Sequence, residues 1–251
     1  MGVAEWKDLK KSGAFWVGAH RGGRDLGAEN TLKTALQGYR AGADFWELDV
    51  QLSADGVPVV IHDDTLVRTT DAATVYPQRA PWRVSDFSEA ELAALCPPIP
   101  TLGQALAFTK ALGWLVNVEI KGTGKQLERL IGETLRAVTD LEMMEAVLIS
   151  SFHVELLRRL RQSDGRVMIG VLADKVVEDP VGLVRGLGAD TFHPTWEAVS
   201  EETVRRCRAE GIPVIAWTVN DRETGSRFKS YGVSAVITDR PHEFVALRNH
   251  P

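Results

Sequence analysis

The chain has 251 residues, of which 44% are hydrophobic and 25% are charged, as in a globular protein with a sizeable core. Its 29 basic against 34 acidic residues give a net charge of −5, which excludes the broad basic field of a nucleic-acid-binding protein. The sequence shows no secretory h-region and no apolar run of about 18 residues, and its two cysteines, Cys96 and Cys207, are widely spaced, so we expect a reducing, cytoplasmic setting without membrane insertion.

Strand and helix patterns alternate along the chain. Apolar strand patterns begin near residues 15, 45, 115, 146, 167, 191, 213 and 235. Helical patterns are expected at residues 31–41, 88–95, 101–112, 124–139, 153–162, 180–187, 201–210, 222–231 and 241–248. Eight β/α units in about 250 residues predict a TIM (β/α)8 barrel. A doubly wound open sheet is the alternative, but no glycine-rich dinucleotide fingerprint follows the first strand.

Residues 65–100 interrupt this rhythm with five prolines and few periodic apolar residues. We expect them to form a small insertion after strand two, over one end of the barrel. Within it, Ser88-x-x-Glu91 predicts a capping box at the start of a short helix. Residues 1–251 are therefore expected to form a single domain.

The second strand carries two acids, Glu47 and Asp49, which lie two residues apart and so point to the same face. Asp55-Gly56 is a strong hairpin signal, and the returning strand ends at His62. A two-residue loop would place His62 opposite Asp49, and a four-residue loop beginning at Ser53 would place it opposite Glu47. A three-residue loop would break this alignment.

Polar side chains also end the other strands. The carboxyl ends of barrel strands meet at one mouth, where the chemistry of such barrels takes place. The polar residues at those ends are His20, Arg21, Asn117, Glu119, Lys121, Ser150, Ser151, His193, Trp217, Thr218, Asn220, Thr238, Asp239 and Arg240. Taken singly, Ser150, Ser151, His193 and Asp239 are also explained as caps or solvated loop residues, and Trp217 as part of the core.

Glu47, Asp49 and Glu119, on adjacent strands, would form a hard-oxygen pocket suited to Mg²⁺ or Ca²⁺. The alternative is a solvated edge strand for the first two and an exposed ion pair with Lys121 for the third. The simultaneous placement of so many polar residues at strand ends favours the metal site.

Two histidines, His20 and His62, would flank this pocket and suit a general acid and base, because the unperturbed pKa of an imidazole lies near neutrality. Arg21 and Lys121 would supply fixed positive charge. A metal ion, two cationic side chains and two imidazoles together suit an anionic phosphodiester, whose transition state concentrates charge on oxygen.

At these residues the sequence resembles the glycerophosphodiester phosphodiesterase family, in its bacterial cytosolic type. The similar segments follow one another in family order over nearly the whole chain. They are HRGG (20–23), ENT (29–31), GADFWELDVQLSADGVPVVIHDDTLVRTTD (42–71), IPTL (99–102), VNVEIKG (116–122), SSF (150–152), AWTVND (216–221) and ITDRP (237–241). Two departures are visible: Ala28 stands where family members usually have proline, and Trp46 where they have a smaller aliphatic residue.

The resemblance implies a TIM barrel with a small insertion after strand two, which acts in lipid and glycerol metabolism. It implies these roles: metal ligands Glu47, Asp49 and Glu119; acid–base pair His20 and His62; phosphate-binding cations Arg21 and Lys121; a pair near the metal, Glu29 and Asn30; and a pocket aromatic, Trp217. The expected reaction is metal-dependent hydrolysis of glycerophosphodiesters to glycerol 3-phosphate and an alcohol. A lyase that releases a cyclic phosphate and a catalytically silent binding barrel are the alternatives.

Overall fold

The structure is a computed structural model that describes residues 5–10, 15–121 and 126–249. Nine strands form one sheet: β1 (Trp16–Ala19), β2 (Phe45–Leu52), β3 (Pro58–Val60), β4 (Leu115–Ile120), β5 (Val147–Ser151), β6 (Met168–Ala173), β7 (Thr191–Pro194), β8 (Ile215–Ala216) and β9 (Ala235–Thr238). The parallel order is β7-β6-β5-β4-β2-β1-β9-β8, and β3 pairs antiparallel with β2. Parallel bridges from Phe192 to Val214 and from Thr195 to Trp217 join β7 to β8. The eight parallel strands therefore form a nearly closed barrel, and the predicted TIM-barrel fold is confirmed.

Helices lie between the strands. They are α1 (Leu32–Arg40), α2 (Ala72–Val75), α3 (Glu89–Ala93), α4 (Leu102–Ala111), α5 (Leu127–Asp140), α6 (Val154–Ser163), α7 (Pro180–Gly186), α8 (Glu201–Ala209), α9 (Arg222–Tyr231) and α10 (Pro241–Phe244). Gly124, the predicted start of the helical pattern at residues 124–139, lies outside the described residues. Within the described ranges, the structure contains no helix with the length and apolarity needed to span a bilayer.

The strand pattern predicted from Pro213 forms only the short strand β8. Pro213 has no N–H to donate to a sheet, although its carbonyl accepts a hydrogen bond from Phe192 N at 3.0 Å. Trp217 N donates to Pro194 O at 3.1 Å. Isolated bonds of this kind, rather than a continuous ladder, close the barrel at this seam.

The amino-terminal end of the barrel interior is filled with apolar side chains. A short 3₁₀ helix, Trp6–Lys10, places the Trp6 ring 4.8 Å from the ring of Phe45, the first residue of β2. Trp6 Nε1 donates to Ala146 O at 3.0 Å, so its polar atom is satisfied. Interior residues farther along β2 are acidic, and therefore the polar end of the barrel is the carboxyl end of the strands.

The insertion has a hydrophobic cluster of its own. Phe87 and Leu92 are fully buried, and they belong to a cluster with Val59 and Ile61 beside β3. The predicted capping box is confirmed: Ser88 and Glu91 bond each other's backbone N–H groups at the start of α3. This cluster fixes the insertion onto the segment that carries His62.

The β2–β3 hairpin has neither predicted register. Gln51 pairs with Val59, so the loop comprises residues 54–56 and both even-length predictions are wrong. Ser53 determines the loop, because its Oγ accepts a hydrogen bond from Val57 N at 2.9 Å. Gly56 closes the turn at φ 79°, in the left-handed region that three-residue hairpin loops require. His62 therefore lies beyond the paired residues and is held in place by other contacts.

Candidate active site

Strand register brings together the three acids at the barrel mouth. Glu47 and Asp49 alternate inward along β2, and Asp49 pairs directly with Glu119 of β4. One oxygen from each of the three carboxylates lies within 4.8 Å of the others. A hard divalent ion binds oxygens at about 2.0–2.6 Å, so three oxygens at this spacing can contact one ion. The predicted set of carboxylates is thus brought together.

The electrostatics of these acids indicate excess negative charge. Burial and the neighbouring Asp49 raise the pKa of Glu47 well above its usual range, and the same two causes raise the pKa of Glu119 to about 7. Burial also acts on Asp49, but Lys121 and Arg21 outweigh it and lower its pKa. Two of the three acids thus resist ionisation in the metal-free site, and a divalent cation would relieve this repulsion. The donor set therefore fits a hard metal ion.

Two cations contact the acids from opposite sides. Lys121 Nζ lies 2.5 Å from Glu119 Oε1 and 3.2 Å from Asp49 Oδ1. Arg21 Nε lies 3.2 Å from Asp49 Oδ2, and the backbone N of Arg21 donates to Glu47 Oε2 at 3.0 Å. Arg21 adopts φ 49°, which turns both its backbone and its side chain toward the carboxylates. Fixed positive charge therefore borders the acids, as predicted.

Glu29 and Asn30 follow β1 and have separate contacts. Asn30 Nδ2 donates to Asp49 Oδ2 at 2.9 Å, so this amide orients the acid. The Glu29 carboxylate accepts a hydrogen bond from Arg21 Nη1 at 2.8 Å and lies outside the acidic set. Burial acts to raise the pKa of Glu29, but Arg68 and Arg21 outweigh it and lower this pKa to about 2. The carbonyl of Ala28 accepts a hydrogen bond from the Thr31 hydroxyl at 2.9 Å, which ties this loop without a proline.

His20 lies between the carboxylates of Asp239 and Glu47. Its Nδ1 lies 2.7 Å from Asp239 Oδ1, and its Nε2 lies 4.0 Å from Glu47 Oε2. Asn220 Nδ2 donates to the other oxygen of Asp239 at 2.7 Å, which fixes that carboxylate. Nε2 therefore faces the acidic cluster, while Nδ1 faces away from it.

His62 has a similar arrangement on the opposite side. Its Nδ1 lies 2.6 Å from Asp63 Oδ1, and its side chain is 33% exposed. Burial lowers the pKa of His62, with further lowering by Lys121 and Arg21, although Asp49 and Asp63 act in the opposite direction. Its ring is therefore expected to be mostly neutral near pH 7.

Three residues that support His62 were missed by sequence reasoning. Gln51 Nε2 donates to the carbonyls of His62 at 2.9 Å and of Asp63 at 2.8 Å, which anchors the segment beyond the hairpin. Arg68 donates to the Asp63 carboxylate from Nε and Nη2. Asp63 could have been proposed as a histidine partner from its position beside His62, whereas Gln51 and Arg68 lie in the family-like segment 42–71 without a spacing that assigns them a role.

Aromatic and buried side chains border the rest of the mouth. Trp217 is half-buried, donates from Nε1 to His193 O at 2.8 Å, and lies edge-on to the Phe152 ring at 5.5 Å. His193 is fully buried, and burial lowers its pKa to about 3. Its Nε2 lies 2.8 Å from the hydroxyl of Thr191, so this histidine is part of the interior. Ser151 donates to Ile120 O at 3.0 Å and is likewise structural.

Comparisons with known proteins give a consistent family assignment. Residues 20–243 match the model of the glycerophosphoryl diester phosphodiesterase family. A glycerophosphodiester phosphodiesterase of Caldanaerobacter subterraneus subsp. tengcongensis is 31% identical over 240 residues, which cover 91% of this chain and 96% of the relative.

Two solved structures show the same fold. A phosphodiesterase of Oleispira antarctica, solved in complex with the product sn-glycerol-3-phosphate, superposes with a TM-score of 0.86 at 26% identity and covers 96% of this chain and 99% of that one. A glycerophosphodiester phosphodiesterase of Thermotoga maritima superposes with a TM-score of 0.75 at 28% identity and covers 93% and 98%.

Proposed function

Because the chain belongs to the glycerophosphoryl diester phosphodiesterase family and is an enzyme of that class, we propose that it hydrolyses glycerophosphodiesters to glycerol 3-phosphate and an alcohol. The observation that carries the proposal is a buried acidic cluster flanked by two histidines, each with Nδ1 against a carboxylate. The Oleispira antarctica relative, solved with sn-glycerol-3-phosphate, supports the product named.

Glu47, Asp49 and Glu119 would hold one divalent ion, Mg²⁺ or Ca²⁺, since carboxylate oxygens suit both. When bound, such an ion supplies Lewis-acid polarisation of a phosphoryl oxygen. The hydrogen bond from Asn30 supports the proposed metal site, because it holds the Asp49 carboxylate in an orientation facing Glu47 and Glu119. The pKa directions of Glu47 and Glu119 also support it, because a cation would remove the repulsion that keeps these acids protonated.

His20 and His62 act as the proton carriers. A carboxylate on Nδ1 favours the tautomer that has its proton there, which leaves Nε2 to exchange protons with the substrate. One imidazole takes the proton of the nucleophile, which is water or the neighbouring glycerol hydroxyl. With the hydroxyl as nucleophile, a water molecule must afterwards open the cyclic phosphate to give glycerol 3-phosphate. The other imidazole protonates the departing alcohol. Asp239 and Asp63 stabilise the imidazolium as each ring gains a proton.

Arg21 and Lys121 bind the phosphate and offset the charge that develops on its oxygens. Glu29 takes part in substrate binding by orienting Arg21, whose guanidinium it binds. Trp217 lines the pocket on the side of the barrel away from the carboxylates, where its ring packs against Phe152.

We further propose that residues 1–251 act as one catalytic domain with the insertion at about residues 65–100, and that the protein works in the cytoplasm. The two free cysteines, exposed Cys96 and buried Cys207, support a reducing compartment. The insertion's cluster beside β3 supports a single domain, because it packs on the hairpin that carries His62.

The test is an assay of the purified protein with glycerophosphocholine and Mg²⁺ or Ca²⁺, followed by ³¹P NMR. We expect glycerol 3-phosphate and choline, with turnover lost on exhaustive chelation and restored by either ion. A glycerol cyclic phosphate that persists as the end product would assign the lyase reaction instead. No product from choline, ethanolamine and glycerol diesters would contradict the proposal.

A further inference from the structure

Arg68 makes more hydrogen bonds than its exposure suggests. Its side chain is 46% exposed, yet its guanidinium binds two carboxylates at once. Nε and Nη2 donate to Asp63 at 2.5 and 2.9 Å, and Nη1 and Nη2 donate to Glu29 at 2.9 and 2.7 Å. An isolated surface ion pair typically contributes little, whereas a planar guanidinium that is bonded on two edges is geometrically specific.

The two carboxylates belong to different loops of the mouth. Glu29 follows β1 and also binds Arg21, while Asp63 follows β3 and binds Nδ1 of His62. Arg68 therefore joins the loop that carries a phosphate-binding arginine to the loop that carries a proton carrier. Within the described residues, the Asp63 carboxylate bonds only to His62 and Arg68.

The partner of the other histidine is held differently. Asp239 is bonded by Asn220 at 2.7 Å, and Arg24 Nη1 is 3.8 Å from it. Arg24 also lies 3.1 Å from Glu29, so removal of Arg68 leaves Glu29 with two arginines and leaves Asp239 unchanged. The contact that depends on Arg68 alone is its bond to Asp63.

We propose that Arg68 is a positioning residue for His62: it fixes the Asp63 carboxylate against Nδ1 and so aims Nε2 at the substrate. This inference rests on the proposed function. Without Arg68 the Asp63 carboxylate can turn into solvent, and the half-exposed imidazole loses the partner that sets its tautomer and orientation. Arg68 acts through Asp63 and His62 and not by contact with the phosphate.

The first test compares Arg68→Ala and Arg68→Lys with the control Arg159→Ala. The control removes an arginine of similar exposure that pairs with Glu155 on α6. We expect Arg68→Ala to lower kcat by about 10- to 100-fold, the cost of a misplaced reacting group, with KM nearly unchanged. Arg68→Lys should recover little of the lost kcat, because an ammonium group lacks the two planar edges with which a guanidinium bonds two carboxylates. Arg159→Ala should keep parental kcat, and thermal melts should show all three variants folded.

The decisive test places Arg68→Ala in a His62→Ala background. If Arg68 works through His62, the double variant should be about as slow as His62→Ala alone, since coupled groups are strongly non-additive. A second, full loss of activity in the double variant would show that Arg68 acts by a route other than His62, through Glu29 and Arg21 or on the substrate itself, and would overturn the inference. Parental kcat in Arg68→Ala would overturn it as well.

A readout independent of turnover separates this inference from the proposed function. Long-range ¹H–¹⁵N spectra of His62 should show a single Nδ1–H tautomer in the parental protein and a mixture in Arg68→Ala. If the parental protein fails to hydrolyse glycerophosphodiesters but this tautomer change occurs, only the function proposal fails. If hydrolysis occurs and His62 is unaffected in Arg68→Ala, only the positioning role fails.

Discussion

The two halves of the barrel mouth differ in chemistry although the same fold forms both. Around β9, β1, β2 and β4, the charged half, the strand ends carry carboxylates, imidazoles and cations that contact one another. Around β5 to β8, which we call the uncharged half because its buried strand-end side chains carry no charge, those ends carry serine hydroxyls, a buried neutral histidine and aromatic rings. Under the proposed function, the phosphoryl group would react over the charged half, and the other half would shape the space for the remaining substrate.

The two halves also show why residue type alone does not assign a role. His193 and His20 both lie near the carboxyl ends of strands, yet His193 is fully buried against Thr191, and His20 holds Nε2 4.0 Å from Glu47. Burial lowers the pKa of His193 to about 3, so it remains neutral at any working pH. His20 differs from His193 in having a carboxylate on Nδ1 and an Nε2 that faces the acidic cluster.

The largest expected effect comes from removal of a carboxylate in the charged half. Asp49→Asn should lower kcat/KM by about 10³-fold or more, because metal binding supplies several kcal/mol of transition-state stabilisation. Calorimetry should show weakened Mg²⁺ or Ca²⁺ binding. The matched change Glu197→Gln, an exposed acid after β7, should alter neither quantity. Equal effects of the two changes would erase the distinction between the halves.

The next effect concerns the histidines. His20→Ala and His62→Ala should each reduce turnover by about 10²–10⁴-fold, the range for loss of a proton carrier. His153→Ala, which removes an exposed imidazole after β5, should keep parental turnover. Steady-state kinetics at fixed metal concentration measures all three. A large loss in His153→Ala would place proton chemistry in the uncharged half.

The repulsion among the acids predicts a pH effect on stability. The pKa of Glu119 is about 7 in the folded, metal-free protein, compared with about 4.3 when unfolded. Because the folded protein binds this proton more tightly, protonation of Glu119 stabilises the fold. This stabilisation is complete at pH values below the unfolded-state pKa and is lost as the pH rises through the folded-state pKa. The unfolding free energy of the metal-free protein should therefore fall by about 3 kcal/mol between pH 4.5 and 7.

Denaturant melts at several pH values measure this fall. Glu119→Gln should flatten the curve, and saturating Mg²⁺ or Ca²⁺ should raise stability most at the high-pH end. A metal-free parental protein that gains stability over the same interval would show that the carboxylates are already neutralised by Lys121 and Arg21.

The smallest expected effect lies in the uncharged half. Trp217→Phe keeps a ring against Phe152 but removes the bond to His193 O, a loss of about 0.5–1.5 kcal/mol. We expect KM to rise by about two- to tenfold and kcat to stay within a factor of about two. A kcat effect as large as that of the histidine variants would mean that this half also takes part in the chemistry.

The barrel and the polar residues of its mouth could be predicted because periodicity and strand ends are local features of the sequence. The hairpin register could not, because Ser53 closes a three-residue loop with its own hydroxyl in place of the two-residue turn that Asp55-Gly56 suggests. Nor could the contacts of Arg68, which joins residues 5 and 39 positions away. Gln51 and Arg68 replace strand pairing as the supports of His62, and such supports become visible only in three dimensions.

The most direct test of the central claim, that His20 and His62 divide acid and base catalysis, compares two leaving groups. Each alanine variant is assayed with glycerophosphocholine and with the p-nitrophenyl ester of glycerol phosphate, whose leaving group needs no protonation. We expect one variant to recover most of its rate on the activated ester, while the other remains slow on both substrates. Equal losses for both variants on both substrates, or parental rates in both, would contradict it.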